Sequence, residues 1–190
     1  MYINKINNKF YDIFIVALIA IIITLINYFL IIENASNTIF FNFSKNQANL
    51  FLILISFLTP ASIIIAKLFF LLFVIYIYKG CKNIPFTKIL IIASISYIPI
   101  LMGSYLNSLL NKVIGYKEYG YFSIFSYFQF NSNILNDILK IFNPFELLSV
   151  LLLNFLYLKF SKSNKEYFIT LTIIYFIFNI LLSLLFGAKR

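Results

Sequence analysis

Residues 13–32 read IFIVALIAIIITLINYFLII, a run in which Thr24 and Asn27 are the clearly polar interruptions. An α-helix rises about 1.5 Å per residue, so about 20 apolar residues cover the roughly 30 Å hydrocarbon core of a bilayer. A transmembrane β-strand would instead alternate apolar and polar residues, and this run does not alternate. The run therefore predicts a helix that crosses a membrane.

The rest of the chain has the same character. It is 62% apolar and 11% charged, with a mean hydropathy of +0.95, whereas soluble domains are about half apolar and about a quarter charged. In lipid the backbone must satisfy its own hydrogen bonds, which favours helices. A chain of 190 residues has room for one helix bundle. We predict an all-α integral membrane protein, a single bundle of five transmembrane helices.

Five apolar segments carry this prediction. They cover residues 13–32, 50–78, 88–110, 138–158 and 167–186. The second is longer than a bilayer core requires, so we expect it to tilt, protrude or kink, with Pro60 as the kink site. Residues 111–137, between spans 3 and 4, are rich in aromatic side chains, which favour the head-group zone. We expect this aromatic segment to lie on the membrane surface and to offer partner contacts through Tyr119, Tyr121 and Phe125.

The formal charge is +9, from 15 Lys and Arg against 6 Asp and Glu. The cations lie mostly in short connections beside spans, which indicates contact with anionic lipid head groups and argues against nucleic acid. Their greater density on the side of the N-terminus predicts an N-terminus inside and a C-terminus outside. The abundance of Ile, Asn, Lys, Phe and Tyr is typical of a low-GC genome, so we expect the cytoplasmic membrane of a bacterium.

The residue types that the sequence lacks exclude several kinds of catalytic and metal site. The chain has no histidine and one cysteine, Cys81, which removes histidine-based zinc sites, Ser-His triads and thiolate clusters. It has no phosphate-binding loop motif and no close pair of carboxylates. We therefore expect no catalytic residues, no cofactor and no metal. Ser-Lys catalysis stays open as an alternative, but an intramembrane enzyme would need a converging serine and lysine or paired carboxylates, and the sequence indicates neither.

Lys67 is an isolated cation inside span 2. A lysine at the centre of a membrane helix costs about 2.5–3.5 kcal/mol on insertion scales. It can bind a partner, for which Glu146 is the best internal candidate, or it can snorkel to the head groups because it lies 11 residues before Tyr78. We favour snorkelling, since we expect Glu146 to lie nearer the outer face.

Small and polar residues recur at helical spacing in spans 2 and 3. Such residues allow close approach of helices in lipid. We expect these two faces to pack on each other, with docking onto another membrane protein as the alternative. We expect Asn154 and Asn179 to form interhelical hydrogen bonds. The small-residue positions are Ser56, Thr59, Ser62 and Ala66 in span 2 and Ser96, Pro99, Gly103 and Asn107 in span 3.

Several stretches are similar to a known family. They are Lys79-Gly80 before Phe86, Ser96-Tyr97-Ile98-Pro99 in mid-span, Asn143-Pro144-Phe145-Glu146 followed by a leucine-rich span, and Lys159-Phe160-Ser161-Lys162. From residue 50 onward the chain resembles the bacterial branch of the Ypt-interacting protein (YIP) family of five-span membrane proteins. The resemblance implies a non-catalytic accessory protein, some relatives of which accompany ABC exporters that handle toxic peptides.

The functional prediction combines these observations. We expect an accessory protein that docks laterally onto an ABC-type exporter or an envelope-stress system. The alternative is a substrate-binding or transport subunit, which would need a polar pocket lined by Lys67, Asn154 or Asn179.

Overall fold

In the computed structural model, the described residues are 2–35, 45–77, 84–117, 120–128, 136 and 143–187. Over these ranges the fold is all-α, as predicted, and contains no strand. In chain order the helices are α1 (Tyr2–Ala35), α2 (Lys45–Ile77), α3 (Phe86–Ile95), α4 (Ile98–Val113), a 3-10 turn (Ile124–Ser126), α5 (Pro144–Ser161) and α6 (Tyr167–Gly187).

Among the described residues, four segments are long and apolar enough to cross a membrane. A further apolar stretch, Tyr167–Leu181, forms most of α6. In α1 only 17% of the apolar window is buried inside the protein, so most of its hydrocarbon side chains face outward, where lipid can solvate them. The chain is therefore a multi-pass membrane protein; the fifth crossing, and the sidedness that follows from it, stay predictions. The four segments are Tyr11–Ile32, Asn49–Ile77, Phe86–Val113 and Pro144–Ser161.

The helix boundaries differ from the predicted spans at several ends, since α1 begins at Tyr2 and α2 at Lys45. Pro60, the predicted kink site, lies inside α2. Helix α5 begins at Pro144, where the Asn143 side chain caps it by accepting a hydrogen bond from the Phe145 amide at 2.9 Å. Residues 138–142 lie outside the described residues. Within the described part of the aromatic segment, α4 extends to Val113, a 3-10 turn lies at Ile124–Ser126 and Asn136 is helical.

The third crossing is broken between α3 and α4 at Ser96 and Tyr97. Pro99 has no backbone N–H, so the regular hydrogen-bond ladder cannot pass through it. The Ile100 amide, which would bond to the Ser96 carbonyl in an unbroken helix, bonds to the Tyr97 carbonyl at 3.0 Å instead. The Ser96 carbonyl therefore needs another partner, since an unsatisfied carbonyl in lipid costs several kcal/mol.

Two clusters of buried apolar side chains hold the bundle together. The larger joins α2, α3, α5 and α6, and includes Phe70, Ile92, Val150 and Leu171. The smaller joins α1 to α4 and the break, through residues such as Ile23 and Leu101. The polar groups of the interior lie between and beside these clusters, so the helices that form the core also position the candidate site.

Candidate functional site

Lys67 lies at the centre of a polar cluster inside the bundle. Its side chain is 0% exposed. It is ten residues before Ile77, the end of α2, a distance of about 15 Å along the helix. This is about half the thickness of a hydrocarbon core. Its Nζ donates hydrogen bonds to the Ser96 carbonyl at 3.3 Å and to the Ser149 hydroxyl.

Ser149 of α5 connects the lysine to the broken helix. Its hydroxyl accepts the hydrogen bond from Lys67 and donates one to the carbonyl of Ser96. The side chains of Ser96 and Ser149 are both 0% exposed. The carbonyl that the helix break releases thus receives two donors from two other helices. The break and the buried lysine satisfy each other's hydrogen-bonding needs.

Glu146 lies one turn before Ser149 on α5 and supplies negative charge to this cluster. It interacts electrostatically with Lys67. Its Oε1 also accepts a long hydrogen bond, 3.5 Å, from the Tyr175 hydroxyl of α6. Tyr175 is itself held edge-to-face against Phe70, with ring centroids 4.8 Å apart. We call Lys67, Ser96, Glu146, Ser149 and Tyr175 the central polar cluster.

The snorkelling interpretation of Lys67 is wrong in this fold. The side chain points into the bundle, because the carbonyl of Ser96 and the hydroxyl of Ser149 are within its reach. The expected separation of Glu146 from Lys67 is also wrong. Glu146 lies in the first turn of α5, and its electrostatic interaction with Lys67 shows that the two side chains lie near each other. The sequence signal was the two opposite charges inside apolar segments; their proximity depended on how α2 and α5 pack.

The structure brings together a serine and a lysine that the spacing of the sequence did not reveal. In the observed geometry Lys67 donates to Ser149, and Ser149 donates onward to a backbone carbonyl. A general base must instead accept the proton of the nucleophile. Both side chains are enclosed. The arrangement joins α2, α3 and α5.

The small residues of span 3 meet three different parts of the fold. The Ser96 carbonyl accepts a hydrogen bond from Lys67 of span 2, whereas Gly103 and Asn107 meet α5 and the aromatic segment. A Cβ added at Gly103 would lie 2.5 Å from the Phe145 ring, so only glycine permits this approach. Phe145 also meets the Phe122 ring edge-to-face, at 5.0 Å. One turn further along α4, the Asn107 Oδ1 accepts a hydrogen bond from the Tyr121 amide at 2.7 Å. The predicted packing of span 3 on span 2 is thus seen at Ser96 and not in these contacts of Gly103 and Asn107.

In span 2 the small residues are divided between two surfaces. The carbonyl of Ser56 accepts a hydrogen bond from the side-chain amide of Asn27 on α1 at 3.0 Å. Ser62 and Ala66 instead line an open apolar groove on the outside of the bundle, with a volume of about 670 Å³. We call this groove the α2 groove. The Ser62 hydroxyl is satisfied within α2 by the Thr59 carbonyl at 2.8 Å. The groove is completed by Ile65, Phe69, Phe73 and Phe178.

The two asparagines have different roles. The Asn154 amide of α5 donates to the Thr172 hydroxyl of α6 at 3.1 Å, which confirms its predicted interhelical bond. Its Oδ1 is buried without a partner. Asn179 hydrogen-bonds to Tyr175 on its own helix, so its predicted interhelical role is not seen in that contact. Of the aromatic candidates, Tyr121 donates to the Gly115 carbonyl at 2.5 Å. Tyr119 and the side chain of Phe125 lie outside the described residues.

Within the described parts of the chain, no group of three or more His, Cys, Asp or Glu side chains is placed to hold a metal ion. Comparison of the chain with protein-family models, with curated proteins and with solved structures finds no match.

Proposed function

We propose that this chain is a non-catalytic membrane protein that acts by lateral docking onto another membrane protein, in the manner of YIP-type accessory proteins. The observation that carries the proposal is that the polar side chains at the centre are bonded inside the bundle, whereas small side chains of α2 face outward. Lys67 and Ser149 are occupied by partners inside the fold. Ser62 and Ala66 face outward in the α2 groove.

The α2 groove suits a transmembrane helix of a partner. Small residues four positions apart allow a second backbone to approach closely, which is a main source of helix association in lipid. The hydroxyl of Ser62 is already bonded to Thr59, so the groove imposes no unsatisfied polar group on an apolar partner. Phe69 and Phe73 give it aromatic walls. The resemblance to the YIP family supplies the proposed partner, the membrane subunits of an ABC exporter in a bacterial cytoplasmic membrane.

The test is proximity cross-linking in the native membrane. A photo-reactive residue in place of Ile65, which is 50% exposed on the groove, should cross-link to a subunit of an ABC exporter. The same residue in place of Ile53, 53% exposed on the same helix, is the matched control and should give little of that product. Ala66→Phe, which fills the groove, should abolish the product. Cross-linking only to lipid or to a second copy of this chain would contradict the proposal.

The alternative, a capture or transport subunit, has one observation in its favour. Broken helices at mid-membrane form substrate and ion sites in many transporters, and α3 and α4 form such a break. Here the ammonium group of Lys67 occupies the freed carbonyl that would otherwise bind a cation. Recovery of the purified chain with a stoichiometric small molecule, lost in Lys67→Met, would favour transport.

A further inference from the structure

The turn between α5 and α6 forms a second cavity, remote in sequence from the α2 groove. Its volume is about 630 Å³ and it opens to the outside of the bundle. Phe155, Leu158 and Phe168 form an apolar wall, and Lys159, Lys162 and Lys165 surround it. We call this cavity the basic pocket. Its lining combines apolar side chains with three lysines. A water-filled cleft does not require the apolar wall, and a groove that faces only acyl chains does not require the lysines.

The local fold brings these lysines together. Helix α5 ends at Ser161, and Lys162 adopts the left-handed conformation with φ of 53°. The amides of Lys162 and Ser163 both bond to the Leu158 carbonyl, which is a common way to end a helix. The chain then turns back into α6. The turn places Lys162 and Lys165 on the same cavity as Lys159, which lies on the last turn of α5.

The charge of the pocket is not neutralised by its own lining. Among the residues that the structure describes, no carboxylate lines the cavity. The nearby Glu166 accepts a hydrogen bond from the Asn164 side chain at 2.8 Å. The Nζ of Lys159 lies over the Phe155 ring, 6.0 Å from its centroid, and so remains beside the apolar wall. One lysine at the end of a helix is explained by the helix dipole, but that effect does not require three around one cavity.

We infer that the basic pocket binds an anionic phospholipid, with the phosphate among the lysines and an acyl chain along Phe155, Leu158 and Phe168. The pocket lies at the end of a membrane-crossing helix, where head groups lie. A free phosphate would fill a small part of 630 Å³ and leave the apolar wall unused. An acyl chain buries that wall, since each CH₂ removed from water contributes about 0.8 kcal/mol. This inference does not depend on the docking proposal.

The experiment is native mass spectrometry of the full chain in a neutral detergent, with phosphatidylglycerol or phosphatidylcholine added in increasing amounts. We expect one retained phosphatidylglycerol per chain and weaker retention of phosphatidylcholine. Lys162→Gln with Lys165→Gln should weaken phosphatidylglycerol binding by roughly 5-fold for each lysine removed. The matched control, Lys112→Gln with Lys117→Gln, removes the same charge beside the end of α4 and should leave binding unchanged.

Two further measurements separate a lipid from a free anion. Phe155→Ala removes an exposed part of the wall without opening the core, because Phe155 is 53% exposed; it should weaken phosphatidylglycerol binding. Glycerol phosphate at millimolar concentration should not displace the lipid. The inference is overturned if the two lipids bind equally, if both double variants lose the same affinity, or if glycerol phosphate competes and Phe155→Ala has no effect.

Discussion

Lys67 on α2 donates a hydrogen bond to the hydroxyl of Ser149 on α5, a residue 82 positions later in the chain. The contact joins two membrane helices that are not neighbours in sequence. It also satisfies a carbonyl that the break at Ser96 releases, since both side chains bond to that oxygen. Lys67, whose charge is unfavourable in the membrane interior, is therefore held by tertiary hydrogen bonds.

Replacement of Lys67 tests how much the charge of the lysine contributes to the free energy of unfolding. Lys67→Met keeps the length of the side chain and leaves Glu146 without its cation. Removing one partner of a buried charge pair costs about 3–5 kcal/mol, whereas a hydrogen bond between membrane helices contributes about 0.6 kcal/mol on average. We therefore expect Lys67→Met to lower the free energy of unfolding far more than Ser149→Ala does, measured by unfolding in mixed detergent micelles and followed by circular dichroism.

The double variant Lys67→Met with Glu146→Gln completes this test. It removes both charges, so its loss of stability should be smaller than the sum of the two single losses. Strict additivity, or equal losses for Lys67→Met and Ser149→Ala, would mean that Glu146 does not stabilise the lysine.

Gly103 is predicted to tolerate no side chain. A Cβ would lie 2.5 Å from the Phe145 ring and 2.9 Å from its Cβ, so Gly103→Ala must displace α4 from α5. Overpacking of this kind costs about 1–3 kcal/mol. Thermal unfolding in detergent should show the loss, and Phe145→Ala in the same chain should recover part of it. Met102→Ala, at a position 57% exposed on α4, is the control. An unchanged unfolding temperature in Gly103→Ala would contradict the close contact.

Thr172 is predicted to support α6 through one hydrogen bond. Thr172→Val keeps the shape of the side chain but leaves the Asn154 amide without the hydroxyl that it reaches at 3.1 Å. We expect a small loss, about 0.6 kcal/mol. The pair Thr172→Val with Asn154→Leu should be at least as stable as the single variant, because it also removes the Asn154 Oδ1, which is buried without a partner. A further loss in the pair would show that Asn154 has another role.

Asn107 is predicted to order the first part of the aromatic segment. Its Oδ1 holds the Tyr121 amide at 2.7 Å, and its side chain lies close to Gly120, which has a φ of 74°. Asn107→Leu should increase hydrogen exchange at residues 120–128 by severalfold and leave α5 protected. Asn111→Leu is a comparison variant, since Asn111 holds only the Lys117 amide, at 3.2 Å. Unchanged exchange in Asn107→Leu would assign the order of this segment to other contacts.

The membrane character of the fold was predictable because hydrocarbon side chains and helical length are local properties of the sequence. The run at residues 13–32 appears as the central part of α1. Helix ends were less predictable. Asn143 caps α5, so this helix begins at Pro144 and not at the predicted residue 138.

The central polar cluster was not predictable, because it depends on three-dimensional pairing. Lys67 and Glu146 were recognised as unusual residues, but the freed carbonyl of Ser96 has no sequence signal of its own. Pro99 directly removes the donor to the carbonyl four residues earlier, that of Ile95. The Ser96 carbonyl is released because the Ile100 amide bonds to Tyr97 at the break, which is a property of the folded backbone. Which faces of α2 meet α1 and which face outward depended on packing alone.

The long separation of Lys67 from Ser149 has a consequence for biosynthesis. A ribosome that adds about 5–20 residues per second needs roughly 4–16 seconds to make the residues between them. During that interval α2 leaves the ribosome with an ammonium group at its centre and without the hydroxyl or the carboxylate that will receive it. Lys67 therefore meets the Ser149 hydroxyl and the Glu146 carboxylate only after α5 has been synthesised.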